Sequence, residues 1–280
     1  MNNGHKIYRT GFGDQAFEID CNNDDAYDIT EFLFRDFPGS KNAQSIKQYD
    51  IISSGPVSML SLWDGDKRLY LGESRYQLAY TLINEVIFHS INTNDSHHAL
   101  HAGCVCNDSR CILLPGQSGN GKSTLTSWLV MNGFQYLTDE LVLLDSEARA
   151  LPMTRPISLK VGPGHDSWLL ADECEEIIAS ETGSMIPHRL FNADFTPQQP
   201  KVTDIIFPQF NSDAEPELKQ ISPAKSSLYL LKSHVNARNL AGHGVSEMAS
   251  IVKQCRSYTL SYASFDDLLH IFNEESAFFT

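Results

Sequence analysis

Gly116-Gln117-Ser118-Gly119-Asn120-Gly121-Lys122-Ser123, with Thr124 after it, constrains this chain more than any other segment. It satisfies G-x-x-x-x-G-K-[ST], the spacing of a phosphate-binding P-loop. Glycines let the backbone curl tightly, so that successive N–H groups converge on one anion. A loop that opens into a helix adds the partial positive charge of the helix N-terminus. In that setting Lys122 reaches the β- and γ-phosphates of a nucleotide, and the Ser123 hydroxyl ligates Mg²⁺. The expected ligands of Gly116 to Thr124 are therefore ATP and Mg²⁺.

The flanks fit the motif. Cys111-Ile-Leu-Leu-Pro115 is a short apolar run bounded by turn residues, the pattern of a buried strand. Thr124 to Asn132 reads as a helix, with Leu125, Trp128 and Leu129 on one face and Gly133 as C-cap. A chance match to the motif would not carry a strand before it and a helix after it.

At 280 residues the chain holds one large domain or two small ones. Its formal net charge of −14 argues against a general nucleic-acid or anionic-membrane surface. No apolar run reaches the length of a membrane span, and the first residues lack a signal-peptide apolar region. Cys21, Cys104, Cys106, Cys111, Cys174 and Cys255 are too scattered for a disulfide framework and read as buried thiols. The expected setting is the cytoplasm, and a homo-oligomer is left open.

Two regions follow from the patterning. Residues 1–94 form a small α+β N-terminal module with β-like segments Ala16–Ile19, Tyr49–Ser53, Val57–Leu62 and Arg68–Leu71. Asp64-Gly65 marks a turn, Asp28–Phe34 a short helix, and Ser74–Ile91 a longer helix capped by Ser74. The polar stretch Asn92–Ser96 marks the boundary. Residues 95–280 alternate strands and helices, an α/β pattern. Ala99–Cys106 and Arg110–Pro115 pair around a turn; Gln135–Thr138, Leu141–Leu144, Val202–Pro208 and Ser257–Tyr262 are strands. Pro223–Ser233, Val245–Gln254 and Phe265–Asn273 are helical.

Two further features narrow the reading. Asp139-Glu140 follows Lys122 by 17 and 18 positions, after one helix and one short strand. His101 precedes Gly116 by 15, on the strand that pairs with the P-loop strand. The blocks Leu100-His101-Ala102-Gly103, Gly116 to Ser123 and Thr138-Asp139-Glu140 resemble, in residues and gaps, the bacterial HPr kinase/phosphorylase family. The resemblance covers residues 98 to 145 well and the rest weakly. The family's second acidic residue is Asp, where this chain has Glu140, and the later glycine-rich signature of its phosphorylase reaction has no convincing copy here. The chain looks closer to the HPr-kinase-related subgroup of peptide-maturation gene clusters, which includes kinases of lasso-peptide precursor tails. Arg155-Pro-Ile-Ser-Leu-Lys160 also resembles a segment of that subgroup.

The resemblance implies an HPr-kinase-like P-loop core with a mixed sheet and flanking helices. It implies an ATP-dependent serine kinase acting on a peptide or protein. Asp139 is the expected general base, since a carboxylate in reach of a serine hydroxyl can accept its proton. Its alternative is an Mg²⁺ ligand through water. Glu140 is the expected metal-side carboxylate, or else a solvated glutamate. His101 is expected to orient Asp139 or donate to a phosphate oxygen, and Lys122 to stabilise the transferred group. Arg155, Lys160 and Arg189 are candidate substrate contacts, against a solvated-charge alternative, and His188-Arg189 and Asn236 to Asn239 are candidate substrate loops. His97, His98 and His101 form an H-H-x-x-H run that lacks the further ligands Zn²⁺ requires. A nucleotide-regulated switch and a small-molecule kinase remain as alternatives; the Asn-Lys-x-Asp motif of GTPases is absent from the sequence.

Overall fold

Alternation and turn chemistry decide most of the elements. A computed structural model describes residues 5–39, 46–54, 59–117, 119–160, 176–196 and 198–274. Ser118 of the P-loop, Cys174 and Val57 lie outside the described residues.

The chain begins with β1 (Lys6–Phe12), β2 (Gln15–Cys21), α1 (Asp24–Phe34), β3 (Ile46–Ser54), β4 (Met59–Asp64), β5 (Lys67–Gly72) and α2 (Arg75–Thr93). Next come β6 (His98–Cys106), β7 (Cys111–Pro115), α3 (Lys122–Met131), β8 (Gln135–Thr138), β9 (Leu141–Leu144) and β10 (Ala150–Pro152). Three short strands follow, β11 (Ile157–Lys160), β12 (Ile178–Ser180) and β13 (Gly183–Ile186). The last third holds β14 (Asp204–Phe210), β15 (Glu217–Gln220), α4 (Pro223–Leu230), α5 (Val245–Val252), β16 (Arg256–Tyr262) and α6 (Phe265–Glu274). The protein is thus mixed α/β, with mixed sheets and six α-helices among the described residues.

Two compact units share these elements: Met1–Asn92 with Thr154–Pro187, and Thr93–Met153 with His188–Thr280. The chain therefore returns to the first unit at Thr154, a crossing that local sequence pattern does not announce.

In the first unit, the order β1-β2-β3-β4-β5 is antiparallel except for the parallel pair β2–β3. A parallel pair needs a crossover, and α1 supplies it. Phe17, Ile19, Tyr49, Ile51, Leu60 and Leu62 alternate along their strands and are buried. The Asn23 side chain accepts from the Ala26 N–H and starts α1 four residues earlier than hydropathy alone indicates. Ser74 Oγ accepts from the Gln77 N–H at 3.1 Å and caps α2. A second sheet, β11-β13-β12, completes the unit.

The second unit is built on the order β10-β9-β6-β7-β14-β16-β15, with β8 also paired to β6. β7, β14 and β16 run parallel, whereas β6 is antiparallel to β7, β8 and β9. Leu100, Ala102 and Cys104 of β6 share a core with Leu230 of α4 and Met248, Ile251 and Val252 of α5. The odd-numbered positions of β6 face the other way, where α3 packs. Gly103 permits that approach, because a Cβ there would lie 2.4 Å from Thr126 Oγ1. Trp128 of α3 meets Phe272 of α6, with ring centroids 5.5 Å apart. Helices thus cover both faces of the sheet, the usual solution for buried parallel strands.

Candidate functional site

β6 is the axis of the site. On one side Ala102 stands opposite Pro115, the last residue of β7 before the loop at Gly116. On the other, β6 pairs first with β9, His101 opposite Leu141, and then with β8, Cys104 opposite Thr138. Asp139-Glu140 is the kink between those two strands. The Ala102 N–H donates to the Glu140 carbonyl at 3.1 Å and fixes the kink to β6. With adjacent strands about 4.8 Å apart, loop and acidic pair flank β6 within roughly 10 Å.

The loop has the backbone of an anion nest. Gly119 and Gly121 have φ of +94° and +81°, the left-handed region glycine tolerates. Gly121 is the N-cap of α3 and contributes no side-chain cap, so the first-turn N–H groups have no capping oxygen from it. Lys122 is buried, and its ammonium donates to the Gln117 carbonyl at 3.1 Å, folded across the loop. The Asn120 N–H also donates to Gln117 O. Gly116 stands beside Asn120 and Lys122, since a Cβ there would lie 3.5 Å from Asn120 Cβ and 3.6 Å from Lys122 Cδ. Ser123 and Thr124 follow in the first turn of α3, both partly exposed. This set fits a polyphosphate: a backbone nest, a helix start and one buried cation.

The two acidic residues diverge. Asp139 is 1% exposed, and Tyr136 donates its hydroxyl to Asp139 Oδ1 at 3.0 Å. Tyr136 stacks on His188, with centroids 4.9 Å apart and planes 21° from parallel, and His188 abuts Phe195. Glu140 is partly exposed, and its Oε1 lies 3.1 Å from His101 Nδ1. The same Nδ1 is 3.1 Å from the Glu140 carbonyl. Both partners are acceptors, so Nδ1 carries a proton, and in the neutral ring Nε2 keeps its lone pair. His101 thus engages Glu140, where the sequence suggests that it orients Asp139 or donates to a phosphate oxygen.

Ser123, Glu140 and the loop could supply oxygens to Mg²⁺ beside nucleotide phosphates. Among the described residues, no group of three or more His, Cys, Asp or Glu side chains could hold a metal ion. His98 and His101 point to opposite faces of β6. His98 instead lies 3.1 Å from Glu247 Oε2 and 3.4 Å from His234 Nε2.

The candidate substrate residues separate. Arg155 and Lys160 belong to the first unit. Arg155 is buried and donates to Ser158 Oγ at 2.8 Å, which excludes its solvated-charge alternative. Lys160 is exposed at the end of β11. Arg189 is exposed in the second unit, its guanidinium 4.7 Å from the Phe195 ring centroid. Asn236 is not a substrate-loop residue. It is buried, accepts from the Ala99 N–H and donates to the carbonyls of Asn94 and His97, so it anchors the start of β6.

Sequence reasoning missed Tyr136 and Tyr262, and it named His188 only with Arg189 as a candidate substrate loop. Tyr262, at the end of β16, donates its hydroxyl to the Gly121 carbonyl at 3.3 Å. A Cβ on Gly121 would lie 2.4 Å from that hydroxyl oxygen. Tyr262 and His188 reach the site from distant segments, whereas Tyr136 lies three residues before Asp139, but residue type alone does not say which neighbour its hydroxyl meets.

Buried thiols lie behind the site. Cys104 and Cys111 Sγ are 3.6 Å apart, and desolvation pushes the Cys106 thiol up to about 12. Among the described residues no helix is long and apolar enough to cross a membrane. No protein-family model matches the chain, and no curated protein matches it.

Proposed function

We propose that the protein is an ATP-dependent serine kinase on an HPr-kinase-like P-loop core, transferring the γ-phosphoryl group to a peptide or protein. The observation that carries the reading is the convergence on β6 of a phosphate nest, an acidic pair and His101. That convergence supplies a donor seat and proton acceptors side by side, the parts phosphoryl transfer requires. A lasso-peptide precursor is the favoured acceptor class, on the sequence resemblance to the HPr-kinase-related subgroup alone, and the favoured setting is cytoplasmic.

In this reading the Gly116–Thr124 backbone and Lys122 hold the polyphosphate of ATP. Lys122 exchanges the Gln117 carbonyl for phosphate oxygens. Asp139, fixed by Tyr136, accepts the proton of the serine hydroxyl as its oxygen bonds to the γ-phosphorus and the bond to the β,γ-bridging oxygen breaks. ADP leaves with that electron pair. Ser123 and Glu140 would hold Mg²⁺, whose charge offsets that building on the phosphate oxygens. His101 positions Glu140.

One observation favours a second assignment within the same reaction. Asp139 is almost fully buried, whereas Glu140 is partly exposed and held by a histidine. Glu140 would then be the base and Asp139 a structural anchor for the kink. Asp139→Asn and Glu140→Gln separate the two assignments: the base variant loses transfer while still binding ATP.

The test of the whole reading is incubation with labelled ATP, Mg²⁺ and a candidate precursor peptide, followed by mass spectrometry. One added phosphate mapped to serine supports it. ATP hydrolysis with no peptide modified favours a nucleotide-regulated switch, and phosphate on a small alcohol favours a small-molecule kinase.

A further inference from the structure

We propose that Phe210 is the seat of the nucleotide base: its ring stacks the adenine of ATP and sets the preference for a base-bearing ligand over a bare polyphosphate. The inference rests on the P-loop reading above and adds the other end of the ligand.

The direction of the nucleotide follows from the sheet order. The P-loop strand β7 lies between β6 and β14. The acidic pair and His101 stand on the β6 side, so the phosphate to be transferred points there. The base, at the other end of the ligand, is then directed toward β14 and β16. These strands run parallel to β7, so all three finish at the same edge of the sheet, where ligands of open α/β sheets bind. Phe210 and Tyr262 are paired in register at the ends of β14 and β16.

The two rings differ in exposure. Tyr262 is buried, with its hydroxyl on the Gly121 carbonyl. Phe210 is 49% exposed although it touches the loop: a Cβ on Gly121 would lie 3.1 Å from Phe210 Cβ. The Tyr262 ring sits tilted against Phe210 at 5.5 Å and 61°, which holds the Phe210 ring without covering it. A large apolar ring beside a phosphate nest, held from behind and open in front, matches a purine face. Base–aromatic stacking needs only such a face and tolerates different bases. The seat therefore favours purine nucleotides over inorganic polyphosphate and discriminates weakly between adenine and guanine.

The test is calorimetry on the full chain with two probes, ATP and inorganic tripolyphosphate, each with Mg²⁺. Phe210→Ala is expected to bind ATP about 10-fold more weakly and tripolyphosphate unchanged. Phe210→Trp is expected to retain ATP affinity, which guards against a folding artefact. Equal ATP affinity for Phe210→Ala and the wild type would overturn the inference, as would equal losses for both probes. Wild-type protein that binds neither probe would instead sink the P-loop reading itself. Nucleotide binding with no transfer to any acceptor would sink only the kinase reading and leave the base seat standing.

Discussion

The hydroxyl of Tyr136 donates to Asp139 Oδ1 across 3.0 Å, so a residue of β8 holds the carboxylate that follows the end of its own strand. The Tyr136 ring is in turn clamped by His188. Tyr136→Phe keeps the ring and removes only the hydroxyl. Phosphotransfer kcat is expected to fall by about 10-fold, with ATP affinity unchanged, as for loss of one hydrogen bond to a charged group. A wild-type kcat in steady-state kinetics would show that this bond does not position the base.

Lys122→Met preserves the aliphatic stem in its buried site and removes the ammonium. Calorimetry is expected to show ATP affinity reduced at least about 10-fold, since a charge-assisted phosphate contact is lost. The melting temperature should move little, because the stem still packs. ATP affinity equal to wild type would remove Lys122 from the phosphate site.

Glu140→Gln keeps the shape of the side chain and discards its charge. The Mg²⁺ concentration for half-maximal rate is expected to rise several-fold while the rate at saturating Mg²⁺ largely recovers. A rate that stays near zero at all Mg²⁺ concentrations would transfer the base role from Asp139 to Glu140. His101→Ala, which removes the imidazole beside the Glu140 carboxylate, should shift the Mg²⁺ titration in the same direction.

Gly103→Ala places a methyl group against Thr126 Oγ1 and pushes α3 away from β6. A cost of about 1–3 kcal/mol is expected in urea unfolding, as for overpacking of a tight core. Adding Thr126→Ala should recover part of it, because the two sites share one contact. Additive losses in the double variant would refute a direct clash.

His234 carries a pH dependence. Burial first, and His98 beside it second, depress its ring from the ordinary 6.5 to about 4, against a raising hydrogen bond from Asn236. The unfolded chain therefore binds a proton near pH 6.5 that the folded state refuses until about pH 4. Stability from this group is complete above pH 6.5 and declines as pH falls through that window. His234→Asn should flatten the slope of melting temperature between pH 6.5 and 4.5. An unchanged slope would mean that His234 does not titrate differently on folding.

Sequence by itself determined many of the local elements. The continuous apolar run Cys111–Pro115, the glycines at 116, 119 and 121, and the cap chemistry at Ser74 each act within a few residues, so their signals are readable in order along the chain. The spacing of His101, Gly116 and Asp139 also implied one neighbourhood, because strand and helix lengths are nearly fixed. Tertiary structure alone decided the rest. The exchange of Thr154–Pro187 into the first unit and the short strands β10 to β13 and β15 have little local periodicity and form through distant partners. The stacking of His188 on Tyr136, the attachment of His101 to Glu140 and the arrival of Phe210 and Tyr262 at Gly121 depend on register and packing between segments far apart in the chain. Which of two adjacent carboxylates faces solvent is set by a kink between two strands that share β6, and residue type carries no record of that direction.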